Sequence, residues 1–416
     1  MDVMRIRGGR RLNGEVRVYA AKNAVLPIIA CSILCRGEVK LKNCVPLGDV
    51  LDMLDVVAAY GVASRWENGD LILDGRNVKN AESDCSVTGR IRSSVFILGP
   101  LVGRLGEACI GYPGGCDIGL RPIDLHIYGL GKLGVKVTES DGKIVCSRIR
   151  AHGGEIVFDF PSVGATENVI MAAATADGRT VIRNAAREPE IADLARFINV
   201  CGGRVYGAGG DVIVVDGVKS LGGGEYAPVS DRIAGGTFIA AVAATGGNVL
   251  IRGLDPSLIS GVTEKFSAAG AEISRCDDGV RVVVSDRLKA VQKIETQPYS
   301  GFPTDMQAQT VAALCTASGT SVMVENLFEN RFGYTRELNK TGARISVKDR
   351  IAVIRGVKRL HGTSLEAKDL RGGAALIIAA LCAEGDSLVG GLGHVDRGYY
   401  GFERDLAKLG ADAVRL

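Results

Sequence analysis

Six apolar, helix-length runs recur along the chain. Each closes on a glycine and leads into a short β-branched run, with the glycines at Gly37, Gly106, Gly178, Gly247, Gly319 and Gly385. Their intervals of 69, 72, 69, 72 and 66 residues mark a repeat architecture. Within each repeat a second, more polar helical run ends at Gly61, Gly134, Gly202, Gly270, Gly342 or Gly410, where glycine suits a left-handed helix cap. Alternating or β-branched runs such as 212–215 and 280–284 read as strands. Each repeat thus predicts strand, helix, strand, helix, then one or two strands. The first helices are rich in Ala and Ile and poor in charge, so they should be buried on most sides. The second helices, such as 402–409, are amphipathic and should lie outside them.

Six repeats split as three plus three, an α/β chain of two domains. The first is expected at 22–229. The second is expected at 1–21 plus 230–416, because the last repeat runs short of strands at Leu416 and an N-terminal strand at 3–18 can complete it. The chain would then cross between domains near residues 20 and 230. A length of 416 residues agrees with two or three domains.

Composition narrows the function. Hydrophobic content of 46% and charged content of 23% are ordinary for a globular protein. Fifty basic residues against 47 acidic leave +3, which disfavours nucleic acid or a membrane surface as partner. The eleven cysteines form no Cys-x-x-Cys pair, and several (Cys31, Cys35, Cys315, Cys382) sit in apolar runs, as in a cytoplasmic protein with reduced thiols. Four scattered histidines, at 126, 152, 361 and 394, argue against a metal centre. The apolar stretch 24–35 behind a basic N-terminus looks like a secretion signal, but similar stretches recur at 238–244 and 374–383. All are too short to span a bilayer, so no membrane insertion is expected.

Candidate chemistry gathers in two places. The first is the glycine-rich segment Tyr112-Pro-Gly-Gly-Cys-Asp-Ile-Gly-Leu-Arg-Pro122, where Cys116 sits on a pliant loop five residues before Arg121. The second follows from repeat phase. Counting back 14 or 15 residues from the first-helix glycines lands on Lys22, Arg92, Gly164, Arg232, Asp305 and Arg371. Arg121, Arg187, Arg331 and Arg397 are expected at the starts of second helices. Helix N-termini expose unpaired N–H groups and a positive dipole end, so a bare cation there is unfavourable unless an anion shares the site. Helix capping with surface ion pairs explains one such residue, but not the set. Asp305 is a carboxylate at the position that is basic in four sister repeats. It reads either as a helix cap or as a general base kept ionised by its cationic neighbours.

At these residues the chain resembles the enolpyruvyl transferases from end to end. The segments that carry the resemblance are Ala21-Lys-Asn-Ala, Pro113-Gly-Gly-Cys with Ile118-Gly-Leu-Arg-Pro, Ser162-Val-Gly-Ala-Thr, Asn184-Ala-Ala-Arg-Glu-Pro-Glu, Phe302-Pro-Thr-Asp-Met-Gln, Phe328-Glu-Asn-Arg-Phe and His394-Val-Asp-Arg-Gly-Tyr. The resemblance implies two inside-out α/β barrel domains, each of three βαβαββ-type repeats with buried helices, and an active site in the interdomain cleft. It implies transfer of the enolpyruvyl group of phosphoenolpyruvate to the 3-hydroxyl of UDP-N-acetylglucosamine (UDP-GlcNAc), with loss of phosphate, at the start of peptidoglycan synthesis. No metal or organic cofactor is implied.

By the same resemblance Cys116 is the acid and the site of covalent adducts, including that of the epoxide fosfomycin, and Asp305 is the base. Lys22, Arg121 and Arg397 would hold phosphate, Arg331 and Arg371 the carboxylate, with Asn23 also at the phosphoenolpyruvate site. Asn23, Asp305 and the Leu327 backbone would hold the sugar. Arg121, Pro122, Ile123, Asp124 and Leu125 would hold the uridine, and Ser162, Val163 and Gly164 the diphosphate, with Arg92 assisting. Phe160, Gly48, Ala234 and Leu120 depart from residues common in the family, and Phe160-Pro161 weakens the expected diphosphate contact.

Two enzyme-level alternatives share the fold. The shikimate-pathway branch carries a Ser-Lys-Ser near its start, unlike Ala21-Lys22-Asn23 here. A catalytically weak UDP-GlcNAc-binding paralogue would not need the intact Cys116, Asp305 and arginine set. A non-enzymatic ring such as a DNA clamp would need a basic inner face, against which the charge balance and the apolar first helices argue.

Overall fold

The computed structural model describes residues 2–82, 85–114, 119, 122–149 and 152–416. The chain is mixed α/β and forms two compact units. One comprises 2–19, Gly119 and 230–416, the other 20–114 and 122–229, so the main crossings fall at Tyr19/Ala20 and Val229/Ser230.

In the unit built around 230–416, three apolar helices, Arg232–Thr245, Gln307–Leu314 and Leu370–Cys382, pack on one another and are buried along nearly their whole length. Three four-stranded sheets lie against them, each laying its alternating apolar side on the shared core. The sheets are linked cyclically by parallel pairs. Lys293–Glu295 pairs with Thr320–Val324 of the next repeat, and Ser364–Glu366 with Asp386–Gly390 of the one after. The circle is closed by the N-terminus, whose strand Leu12–Arg17 runs parallel to Gly247–Arg252.

The N-terminal segment is two strands rather than one. Met4–Arg7 lies between Asp386–Gly390 and Asp412–Arg415, supplying the strand the last repeat lacks. The break has a steric cause. A Cβ on Gly8 would stand 2.3 Å from the carbonyl oxygens of Ala380 and Ala383, so only glycine can turn so tightly around the end of that helix.

The other unit repeats the plan. Helices Lys22–Cys31, Leu98–Leu105 and Val163–Ala173 form the apolar centre. Glu155–Val157 pairs in parallel with Arg179–Arg183, and Gly224–Tyr226 with Glu38–Leu41. Glu82 forms a parallel bridge with Cys109, completing the cycle. The amphipathic helices Gly48–Ala58, Asp124–Lys132 and Pro189–Val200 pack on this centre with one face. All six second-helix glycines adopt positive φ, between 77° and 107°, as the cap requires. The apolar run 24–35 is a buried core helix and its short 3-10 extension, and among the described residues no helix is long and apolar enough to cross a membrane.

One buried carboxyl in this unit yields a stability prediction. Glu167, on the helix Val163–Ala173, is 1% exposed, and among the described residues neither of its oxygens has a hydrogen-bond partner. Burial first, then the neighbouring Glu190 and Glu188, push it well above the usual 4.5. The folded protein therefore keeps a proton that the unfolded chain releases, and this group lowers stability as pH rises above about 4.5. Glu167→Gln is expected to be the more stable form at pH 8 by about 1–3 kcal/mol. The advantage should shrink toward pH 5. Thermal melts of both proteins from pH 5 to 8 test this, and a difference independent of pH would contradict it.

Candidate active site

Asp305 lies on the single turn Thr304–Met306 that leads into the helix Gln307–Leu314, and no side chain caps that turn. Its Oδ1 accepts from Arg331 Nη2 at 2.7 Å and its Oδ2 from Arg371 Nη2 at 2.9 Å. Both guanidinium groups are buried, Arg331 at 8% and Arg371 at 4% exposed, while the Asp305 side chain keeps 28%. The carboxylate is thus the most accessible member of a buried ionic triad.

Arg371 is the second residue of the helix Leu370–Cys382, whose N-cap Asp369 accepts from the Arg371 and Gly372 backbone N–H groups at 3.1 and 2.8 Å. Burial pulls the guanidinium pKa down, but Asp305, Tyr399 and Asp231 together more than offset this and hold it above its ordinary value. Arg371 Nη1 donates to the Tyr399 hydroxyl at 3.1 Å, and the guanidinium carbon Cζ lies 5.6 Å from that ring's centre. The Tyr399 hydroxyl also contacts Thr237 Oγ1 at 2.8 Å and accepts from Gln309 Nε2 at 3.3 Å.

Thr237 and Gln309 are buried polar positions in the first helices, 72 residues apart. That interval equals the spacing of Gly247 and Gly319, so they hold the same phase in successive repeats. This polar network went unread in the sequence. The signal was available in that shared phase, and in Tyr399 itself, which closes the segment His394-Val-Asp-Arg-Gly-Tyr.

Leu327 follows the strand Thr320–Val324, and its backbone N–H is taken by the Glu325 carboxylate at 2.9 Å. What this backbone can offer a sugar hydroxyl is its carbonyl. Arg331 and Arg397 do not stand at helix starts. They precede the helices Thr335–Lys340 and Phe402–Lys408 by four and five residues, and Arg397 instead ends the short helix Leu392–Asp396. In both repeats a glycine-bearing turn, around Gly333 or Gly398 and Gly401, comes between the arginine and the helix.

In the other unit Lys22 is the first residue of the helix Lys22–Cys31, and its Nζ contacts Asp49 Oδ2 at 2.8 Å, with both side chains largely buried. Asp49 is a second group the sequence did not point to. Asn23 beside it is half-buried. Arg92 opens the 3-10 helix Arg92–Ile97, and its partial burial lowers its pKa.

Ser162 caps the helix Val163–Ala173, its Oγ accepting from the Ala165 N–H at 3.4 Å. A Cβ on Gly164 would meet His126 Cε1 at 3.0 Å and Phe96 Cε1 at 3.1 Å. The imidazole and the Phe96 ring thus crowd the space that a side chain at this position would enter. Burial first, then the Arg92 charge, hold His126 down at about 3, so it is a neutral ring bonded to Asn168 at 2.8 Å. Ile123 is buried, Leu125 half-buried, and Pro122 and Asp124 are exposed at the start of the helix Asp124–Lys132. Phe160 is exposed. Cys116, Leu120 and Arg121 lie outside the described residues.

In summary of place, Asp305, Arg331 and Arg371 meet directly, and Arg92 and Gly164 gather around His126. Among the described residues no group of three or more His, Cys, Asp or Glu could hold a metal ion.

Comparison with known proteins identifies the family. The family model for EPSP synthase (3-phosphoshikimate 1-carboxyvinyltransferase) matches residues 6–406. The chain is 47% identical over 416 residues to UDP-N-acetylglucosamine 1-carboxyvinyltransferase 2 of Caldanaerobacter subterraneus subsp. tengcongensis, covering all of both chains. It is 46% identical over 420 residues to UDP-N-acetylglucosamine 1-carboxyvinyltransferase 1 of Clostridium acetobutylicum, again covering both in full. The crystal structure of the enolpyruvyl transferase NikO from Streptomyces tendae shares the fold, with a TM-score of 0.89 at 23% identity, covering 100% of this chain and 98% of that one. Similarity of this extent, over the whole length and at this identity, means that the chain belongs to the enolpyruvyl transferase family, among the UDP-N-acetylglucosamine 1-carboxyvinyltransferases.

Proposed function

We propose that the chain transfers the enolpyruvyl group of phosphoenolpyruvate to the 3-hydroxyl of UDP-GlcNAc and releases phosphate, the reaction that commits the nucleotide sugar to peptidoglycan. The observation that carries the site assignment is Asp305 bridging the buried Arg331 and Arg371, in a chain whose full-length relatives bear this enzyme's name. Each unit is read as an inside-out α/β barrel.

The enol phosphate double bond of phosphoenolpyruvate becomes electrophilic at C2 only as C3 gains a proton. Cys116 delivers that proton from its loop. The sugar oxygen bonds to C2, and Asp305, paired with two guanidinium groups, takes the hydroxyl proton. In the second half a proton leaves the new methyl group, the C2–O bond to phosphate breaks, and the double bond is restored. Lys22, Arg121 and Arg397 hold the phosphate as charge builds on it, and Arg331 and Arg371 face the carboxylate. Asn23 and the Leu327 carbonyl hold the sugar. Arg92, Pro122, Ile123, Asp124, Leu125, Ser162, Val163 and Gly164 hold the nucleotide, the diphosphate lying at the N-terminus of the helix Val163–Ala173.

Phosphate release from phosphoenolpyruvate, measured with UDP-GlcNAc and separately with shikimate 3-phosphate, tests the reading. Release is expected with the nucleotide sugar alone. Release with shikimate 3-phosphate, or with neither acceptor, would overturn it.

A further inference from the structure

We propose that Glu325 is a positioning residue that fixes two parts of the acceptor site relative to each other: the turn that carries Asp305 and the backbone at Leu327. This rests on the roles given above to Asp305 and Leu327. Glu325 follows the strand Thr320–Val324 and is fully buried, at 0% exposed. A buried carboxylate ordinarily has a cationic partner. Here its partners among the described residues are four neutral donors from three separate segments. Oε1 accepts from the Thr296 hydroxyl at 2.9 Å and from the backbone N–H groups of Leu327 and Phe328 at 2.9 and 3.2 Å. Oε2 accepts from the Thr304 hydroxyl at 2.8 Å.

The direction of these bonds is fixed by chemistry. Thr296 Oγ1 already accepts from the Asn326 N–H at 2.8 Å, so its only proton is free to point at Glu325. Glu325 itself is held in place from behind. Its N–H donates to the Arg350 carbonyl at 2.9 Å, and Arg350 Nη1 donates to the Asn326 carbonyl at 3.0 Å. The carboxylate is therefore an anchored point that three loops share.

Thr304 is the residue before Asp305, and its turn has no side-chain cap. The bond from Thr304 to Glu325 is thus a tie between the base-bearing turn and the segment 325–328. Its consequence is geometric. The base and the carbonyl that orients the sugar stand in one frame, so the hydroxyl to be deprotonated is presented to Asp305 at a set distance. A misplacement of about 1 Å is enough to cost about a hundredfold in rate.

Steady-state kinetics and melting temperatures of Glu325→Ala, Glu325→Gln and Thr304→Val test the proposal. Glu325→Ala is expected to raise the KM for UDP-GlcNAc about tenfold and to lower kcat about 10- to 100-fold, with the KM for phosphoenolpyruvate within about twofold. Glu325→Gln should recover most of that loss. Its carbonyl can keep the three bonds on one side, and its amide can donate to Thr304, whose hydroxyl turns to accept. Thr304→Val cuts only the tie to the turn, so it should lower kcat with the KM for UDP-GlcNAc held.

The proposal is overturned if Glu325→Ala lowers the melting temperature alone, with both constants unchanged per folded enzyme. Should that variant not fold, the other two decide, and unchanged kcat in Thr304→Val overturns it. Wild-type protein is assayed alongside. If it releases no phosphate with UDP-GlcNAc, the functional reading fails and this inference with it, whereas wild-type turnover with unaltered variants defeats the inference alone.

Discussion

Asp305→Asn is expected to lower kcat by about 10²- to 10⁴-fold, the usual contribution of a positioned general base. The substitution keeps the shape of the side chain and one acceptor oxygen, so one of the bonds from Arg331 and Arg371 survives. It removes the charge and with it the capacity to take a proton from a sugar hydroxyl. UDP-GlcNAc should still bind, because the nucleotide contacts assigned above come from Arg92, 122–125 and 162–164. Phosphoenolpyruvate should bind at least as well, since two buried guanidinium groups lose their internal counter-charge and favour an incoming anion more strongly. That same loss should lower the melting temperature, because each guanidinium is buried against a partner that no longer carries charge. Single-turnover phosphate release and equilibrium binding of both substrates separate these effects. A variant that binds both substrates and turns over within tenfold of wild type would remove Asp305 from the role of base and leave it as a tether for the two arginines.

The sequence carried the periodic part of this molecule and lost the part that depends on closing the cycle. Repeat phase located Lys22, Arg92, Arg232, Asp305 and Arg371 at or within one residue of a helical start, because each follows from a local pattern of apolar run and glycine. The left-handed caps were legible for the same reason. The shortage of strands in the last repeat pointed to the N-terminus, but not to its division into Met4–Arg7 and Leu12–Arg17. That division depends on Gly8 passing so close to Ala380 and Ala383, at a helix end 372 to 375 residues later, that a side chain has no room.

The partners of the reactive groups were likewise unread. The Tyr399–Thr237–Gln309 network behind Arg371 meets across repeats, while Asp49 beside Lys22 and the threonine donors around Glu325 come from different elements separated by 21 to 29 residues, beyond the reach of any local pattern. Arg331 and Arg397 were set too close to their helices because the phase argument assumes that every repeat enters its second helix alike. These two repeats enter through an added turn.

The second large effect concerns the loop. Cys116→Ala is expected to lose about 10²- to 10⁴-fold in turnover, whereas Cys116→Asp should retain turnover and escape inactivation by fosfomycin. Both follow from treating the thiol as a proton donor. Alanine has no proton to give to C3 of phosphoenolpyruvate, while a carboxylic acid has. The expected inactivation draws on a different property, the nucleophilicity of sulfur. The inhibitor's epoxide ring opens as the thiolate forms an S–C bond, the C–O bond breaks, and the oxygen takes up a proton, so the protein gains the whole inhibitor mass with no leaving group. A carboxylate is a far poorer nucleophile toward an epoxide, and the two properties therefore separate in the Asp variant. Intact-mass measurement after treatment in the presence of UDP-GlcNAc, with peptide mapping to residue 116, reads the adduct directly. Full inhibition of the wild type with an unmodified thiol would break the link between this cysteine and the inhibitor. A folded, substrate-binding Cys116→Asp protein without turnover would show that the reaction needs sulfur itself, as in a covalent adduct at C2, rather than any acid at position 116.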